Sequence, residues 1–154
     1  MSPRRAQLLA RRRWALGALG VAAALGTACG KFQQARECGS FVKTVNAWLA
    51  RPSLSADAGT TSDPKHIAEE SRHTAQDYED LSKSLAALNV QNEELAPRVQ
   101  RYEQIADEAT KTLREVADAL DRGDLEKARQ KRVEFDTVAQ REPALVKEIN
   151  GLCR

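Results

Sequence analysis

The chain has 154 residues, room for one domain plus a leader, with 30% charged residues, 5% aromatics, eight Gly and five Pro, the profile of a helical protein with a modest core. Its net charge of +2 comes from the first 28 residues, which hold five Arg and no acid; the remainder has 19 basic and 22 acidic residues, net −3. That balance argues against a basic nucleic-acid-binding domain, and no nucleic acid is expected as a partner.

Residues 1–28 read as a secretory signal. Arg4, Arg5, Arg11, Arg12 and Arg13 form a positive n-region, and Trp14 to Ala28 is an uncharged stretch of 15 residues. A spanning helix needs roughly 20 apolar residues, and this stretch is also diluted by Gly17, Gly20 and Gly26. An uncleaved anchor is the competing reading. Arg12-Arg13-Trp14-Ala15-Leu16 bears a slight likeness to a twin-arginine export signal, although an ordinary basic n-region is the better reading. The end of the leader, Leu25-Gly26-Thr27-Ala28-Cys29, resembles the lipobox of bacterial lipoproteins. Thr27, Ala28 and Cys29 fit that pattern, whereas Gly26 stands where the family prefers a large aliphatic residue. The resemblance implies cleavage before Cys29 and a diacylglyceryl group on its sulfur. An ordinary signal peptidase reading Gly26-Thr27-Ala28 as its small-x-small site gives the same new N-terminus.

There are three cysteines, Cys29, Cys38 and Cys153. Lipidation of Cys29 accounts for the odd one and leaves Cys38 and Cys153 to pair in an oxidising compartment. The alternative is that both are unpaired small core residues.

Four helices are predicted in the mature part, residues 29–154. The first covers about 32–50, with Cys38, Phe41, Val42, Val45, Trp48 and Leu49 on one face at three–four spacing. Pro52 ends it, and residues 51–63 form a loop by composition. Asp63 caps the second helix, about 64–88, with Pro64 at its first position. Its seam is Ile67, Ser71, Thr74, Tyr78, Leu81, Leu85 and Leu88.

The third helix, about 93–121, has the clearest pattern. Leu95, Val99, Tyr102, Ala106, Ala109, Leu113, Val116 and Leu120 alternate four and three without a miss. The positions beside them are mostly small or apolar too, among them Ala96, Ile105, Thr110, Thr112, Ala117 and Ala119. A two-stranded coiled coil usually carries charges there, so this face is too broad for one partner helix and needs a bundle. Pro97 requires the helix to start just before it or bend there. Gly123 caps the end, and Asp124 opens a fourth helix over about 125–150, where Pro143 predicts a kink. Its apolar positions are Leu125, Ala128, Phe135, Val138, Leu145, Ile149 and Leu152. The expectation is an all-α, antiparallel up-down-up-down four-helix bundle with a closing disulfide. That topology puts Cys38 and Cys153 at the same end.

Pairing the second and third helices antiparallel sets Thr74 against Ala109 and Ser71 against Leu113. The Thr74/Ala109 layer lacks bulk, so a ligand layer formed by Ser71, Thr74, Ala109 and Trp48 could open there. The competing reading has Trp48 and Phe135 fill the gap. His66, Glu70, His73 and Asp77 recur at helical spacing, but both histidines fall off the seam. A solvated face is therefore the better reading, and no metal is expected. No cofactor is expected either: the only Met is Met1, and no Cys-x-x-Cys-His is present. Ala119 to Ala128 resembles the turn of a tetratricopeptide repeat but occurs once, as in an ordinary helical hairpin. No catalytic constellation, phosphate loop or nucleophile elbow stands out, and an enzyme is not expected. The function expected is that of an exported, lipid-anchored envelope protein, a binding or structural helical module on the periplasmic side. Gly30 after Cys29 leans toward the outer membrane by analogy with lipoprotein sorting. Its partners are the membrane, through the lipid on Cys29, and an unknown envelope protein or small ligand. A soluble periplasmic bundle binding a small molecule or metal is the alternative.

Overall fold

Caps and prolines set the helix boundaries in the computed structural model, which describes residues 30–51 and 63–154. The leader, Cys29 and most of the loop expected over 51–63 lie outside the described residues. Helix α1 covers residues 30–49. Helix α2 is Pro64–Ala86, and the side chain of Asp63 accepts from the Lys65 N–H at its start. Asn89, at φ 46°, turns the chain after it, a left-handed position that Asn tolerates. Asn92 then accepts from the backbone N–H groups of Glu94 and Leu95, and α3 runs Ala96–Asp121. Pro97 thus sits in the first turn, where no intrahelical N–H is needed, and α3 starts later than the expected residue 93. Gly123, at φ 72°, ends α3, and Asp124 caps α4, Leu125–Ala139, by accepting from the Lys127 N–H.

The helix expected over 125–150 is two helices. A proline ring clashes with the carbonyl four residues earlier. For Pro143 that residue is Ala139, and Ala139 is where α4 stops. Helix α5, Glu142–Leu152, then begins with Pro143 in its first turn. The two pieces make up the fourth arm of the bundle.

Cross-helix contacts give the expected up-down-up-down order. Glu37 near the start of α1 accepts from the backbone N–H groups of Gln91 (3.2 Å) and Asn92 (2.9 Å) at the α2–α3 turn. Arg51, just past the end of α1, pairs with Asp77 (2.7 Å) and Asp80 (3.0 Å) halfway along α2. On α3, Glu115 pairs with Lys131 of α4 at 2.8 Å, and Arg101 pairs with Glu148 of α5. At the closing end, Gln34 Nε2 donates to the Leu152 carbonyl at 3.0 Å. There Cys38 and Cys153 are joined by a disulfide, with Cα atoms 5.6 Å apart across a sequence separation of 115.

Because Arg51 meets the middle of α2, α1 covers only one half of the bundle's length. That half holds the large side chains: Phe41, Trp48, Tyr78 and Tyr102 are buried, and Phe135 packs against them. Among the described residues the other half is closed by α2, α3 and α4 around Ala68, Ser71, Ala109, Leu113, Val116 and Ala117. On α3 the whole seam from Leu95 to Val116 is buried, with Ile105, Thr110, Thr112, Ala117 and Ala119 beside it. Three apolar residues assigned to core faces point outward instead: Val42 is 39% exposed, Leu49 55% and Leu125 49%. Cys38, Phe41, Val45 and Trp48 already fill the core face of α1, and 100° per residue carries positions 42 and 49 around its flank. Among the described residues no helix is long and apolar enough to cross a membrane.

Candidate functional site

The α1-covered half is built around an aromatic column. The rings of Phe41 and Tyr102 lie 5.9 Å apart, Trp48 and Tyr78 5.1 Å, and Tyr78 and Phe135 6.0 Å in an edge-to-face arrangement. The break between α4 and α5 delivers one carboxylate into this column. Glu142, the first residue of α5, accepts a hydrogen bond from the Tyr102 hydroxyl. Burial pushes its carboxyl above the usual range, and that hydrogen bond partly opposes the shift. Burial also raises the Tyr78 phenol to about 12, with the Glu142 charge adding to it. Tyr102 is raised for the same two reasons and by the hydrogen bond it donates. Both phenols stay protonated at physiological pH, so Tyr102 serves as a donor rather than a base. Trp48 Nε1 is buried nearby and has no acceptor among the described residues. The set positions a carboxylate and holds it; it contains no nucleophile paired with a base.

Around the column the surface is shallow. An open cleft of about 410 Å³ runs between α1 and α2, with Lys43, Trp48, Arg51, Leu81 and Leu88 among its lining. A second, of about 290 Å³, lies at the far end beside Ile67, Val116, Leu120, Leu125 and Ala128. Ser71, Thr74 and Ala109 line neither. Ser71 Oγ donates to the Ile67 carbonyl (2.8 Å) and Thr74 Oγ1 to the Glu70 carbonyl (3.0 Å), both within α2. Ala109 is fully buried, and Trp48 sits in the next layer, against Tyr78.

The lack of bulk in the Thr74/Ala109 layer coincides with a close approach of α2 and α3. Thr110 Oγ1 on α3 lies 3.3 Å from the Ala75 carbonyl on α2 while also donating to its own helix at Ala106 (2.8 Å). A side chain as short as Thr reaches a neighbouring backbone only where small residues let the helices meet. Ala68, Ala75, Ala106 and Ala109, all fully buried, supply those positions.

His66 and His73 are exposed and Glu70 is half-buried, while Asp77 is engaged by Arg51. Among the described residues no three His, Cys, Asp or Glu side chains are grouped to hold a metal. The sequence reading missed the Glu142–Tyr102 pair. Its signal was Glu142 directly before a proline, which places it first in a helix as Ala96 stands before Pro97 in α3. Compared with known proteins, the chain matches no family model, and no curated protein or solved structure shows significant similarity to it.

Proposed function

We propose that this is an exported protein of the cell envelope, held on the periplasmic side by a lipid on Cys29, and that its bundle is a non-catalytic binding or structural module. The observation that carries the reading is the use of the cysteines. Cys38 and Cys153 are joined to each other, which fits an oxidising compartment. That leaves Cys29, at the end of the lipobox-like stretch, as the third cysteine. The interior supports a structural role: the aromatic column fills the half covered by α1, and close-packed alanines with Leu113 and Val116 fill the rest. Gly30 rather than an acid after Cys29 favours the outer membrane.

The intact mass of protein extracted from the bacterial envelope tests this. A lipid adds several hundred daltons to the chain that begins at Cys29, and Cys29→Ser should release the protein from membranes. A mature chain of unmodified mass, or a Cys29→Ser protein that stays membrane-bound through an intact leader, overturns the lipid anchor. A small molecule co-purifying in fixed proportion would identify a binding module; its absence after mild extraction would favour the structural role.

A further inference from the structure

Helix α1 carries a second apolar stripe in addition to its core face. Phe32, Ala35, Gly39, Val42, Asn46 and Leu49 are all exposed, and they recur in alternating steps of three and four. Such spacing draws a straight line along a helix. At 100° per residue the line lies roughly 110° around from the core face of Cys38, Phe41, Val45 and Trp48. Phe32, at 69% exposure, begins it, and Leu49 ends it. Lys31, Arg36 and Lys43 border it on its two sides.

The charge of α1 differs from that of the rest of the bundle. Residues 30–49 hold three basic residues, Lys31, Arg36 and Lys43, and one acid, Glu37, net +2. Glu37 faces the α2–α3 turn, where two backbone N–H groups hold it. Residues 63–154 hold 15 basic and 20 acidic residues, net −5. Among the described residues the most positive helix is thus the one with the exposed apolar stripe.

Its place in the chain supplies the third observation. Gly30 is already helical, so no tether separates position 29 from α1. Phe32 is three residues from Cys29 in sequence, so at most about 11 Å of chain separates them. An anchor at Cys29 therefore keeps the start of the stripe at the membrane surface. A second copy fits the stripe less well, because pairing α1 with α1 brings Arg36 and Lys43 against their own like charges.

We propose that α1 lies along an anionic membrane surface, with Phe32, Val42 and Leu49 in the headgroup region and Lys31, Arg36 and Lys43 at lipid phosphates. The inference rests on the membrane-anchored reading above. It makes the bundle lie on its side on the bilayer.

Lysine footprinting tests it. The full chain, extracted from the envelope, is reconstituted in vesicles of phosphatidylcholine with phosphatidylglycerol, and separately in phosphatidylcholine alone. A water-soluble acylating reagent is added, and modification at each lysine is followed by mass spectrometry. Lys31 and Lys43 should react severalfold more slowly in the anionic vesicles, while Lys65 and Lys111 react alike in both. Phe32→Ser with Leu49→Ser, two exposed positions, should remove the difference. Equal rates for Lys31 and Lys43 in the two vesicle types overturn the proposal. So does protection that already appears in detergent and grows with protein concentration, which would assign the stripe to a second copy, or protection that requires a co-purified acidic protein. The intact mass of the same sample separates the two readings: protection without a lipid on Cys29 leaves the face and removes the anchor, and a lipid without protection does the reverse.

Discussion

Reduction of the Cys38–Cys153 bond should cost the protein a large part of its stability without changing its folded structure. The bond closes a loop with a sequence separation of 115. In the chain-entropy description a loop of that size contributes about 4–5 kcal/mol, nearly all of it by restricting the unfolded chain. For a domain of this length the corresponding fall in Tm is roughly 10–25 °C. The folded state keeps other ties at the same place: Gln34 to the Leu152 carbonyl, and Glu37 to the Gln91 and Asn92 N–H groups. Urea unfolding with and without a phosphine reductant, repeated on Cys38→Ala/Cys153→Ala, measures the effect. The midpoint should fall and the m-value should rise, because an unbridged unfolded chain exposes more surface. A midpoint shift equivalent to less than about 1 kcal/mol would refute the reasoning. A lower midpoint with an unchanged m-value and loss of native signal before unfolding would refute it too, since the bond would then be holding the native packing.

Ala109→Leu should overpack the interface of α2 and α3 and cost about 1–3 kcal/mol in denaturant unfolding, whereas a neutral or stabilising result would indicate an open cavity there, as a ligand layer requires. Tyr102→Phe removes the donor from a half-buried carboxylate and should cost about 1–3 kcal/mol at neutral pH, less in acid where Glu142 is protonated. Glu142 also sets a pH dependence. Its carboxyl is raised in the folded state, so between the unfolded and folded pKa values the native state binds more protons and stability falls as pH rises. Glu142→Gln should therefore gain on the wild type as pH goes from acid to neutral. A stability difference that stays flat across that range would show that the carboxyl titrates alike in both states.

The parts of the fold that periodicity governs were legible in the sequence. The seam of α3 is strict, and every member from Leu95 to Val116 is buried. The caps were legible as well, because Asp63, Gly123 and Asp124 each act through one local hydrogen bond or dihedral. Proline was only partly read. Pro64, Pro97 and Pro143 all sit in the first turn of a helix. Reading Pro143 as a kink rather than a start hid the break at Ala139, and with it the half-buried carboxylate that the break sets beside Tyr102. On α1 the apolar residues form two stripes, and spacing alone merged Val42 and Leu49 with the core. Exposure separates them, because the core face is full once Cys38, Phe41, Val45 and Trp48 are in place.

Seam spacing leaves open how near two helices stand. A layer of Thr and Ala has two physical outcomes, an unfilled gap or a shorter interaxial distance, and both satisfy the same heptad pattern. What separates them is a group that can reach only at short distance. Here that group is the Thr110 hydroxyl, 3.3 Å from the Ala75 carbonyl of the neighbouring helix. Ser71 and Thr74 meanwhile spend their hydroxyls on their own helix. The narrow half of the bundle is thus compatible with only three described helices around it, since small residues on α2 and α3 leave less volume for a fourth to fill. The wide half, with two tyrosines, a tryptophan and two phenylalanines, needs α1 as its fourth wall. Side-chain volume along the α2–α3 seam therefore decides where α1 can pack, and α1 ends near the level at which that volume drops.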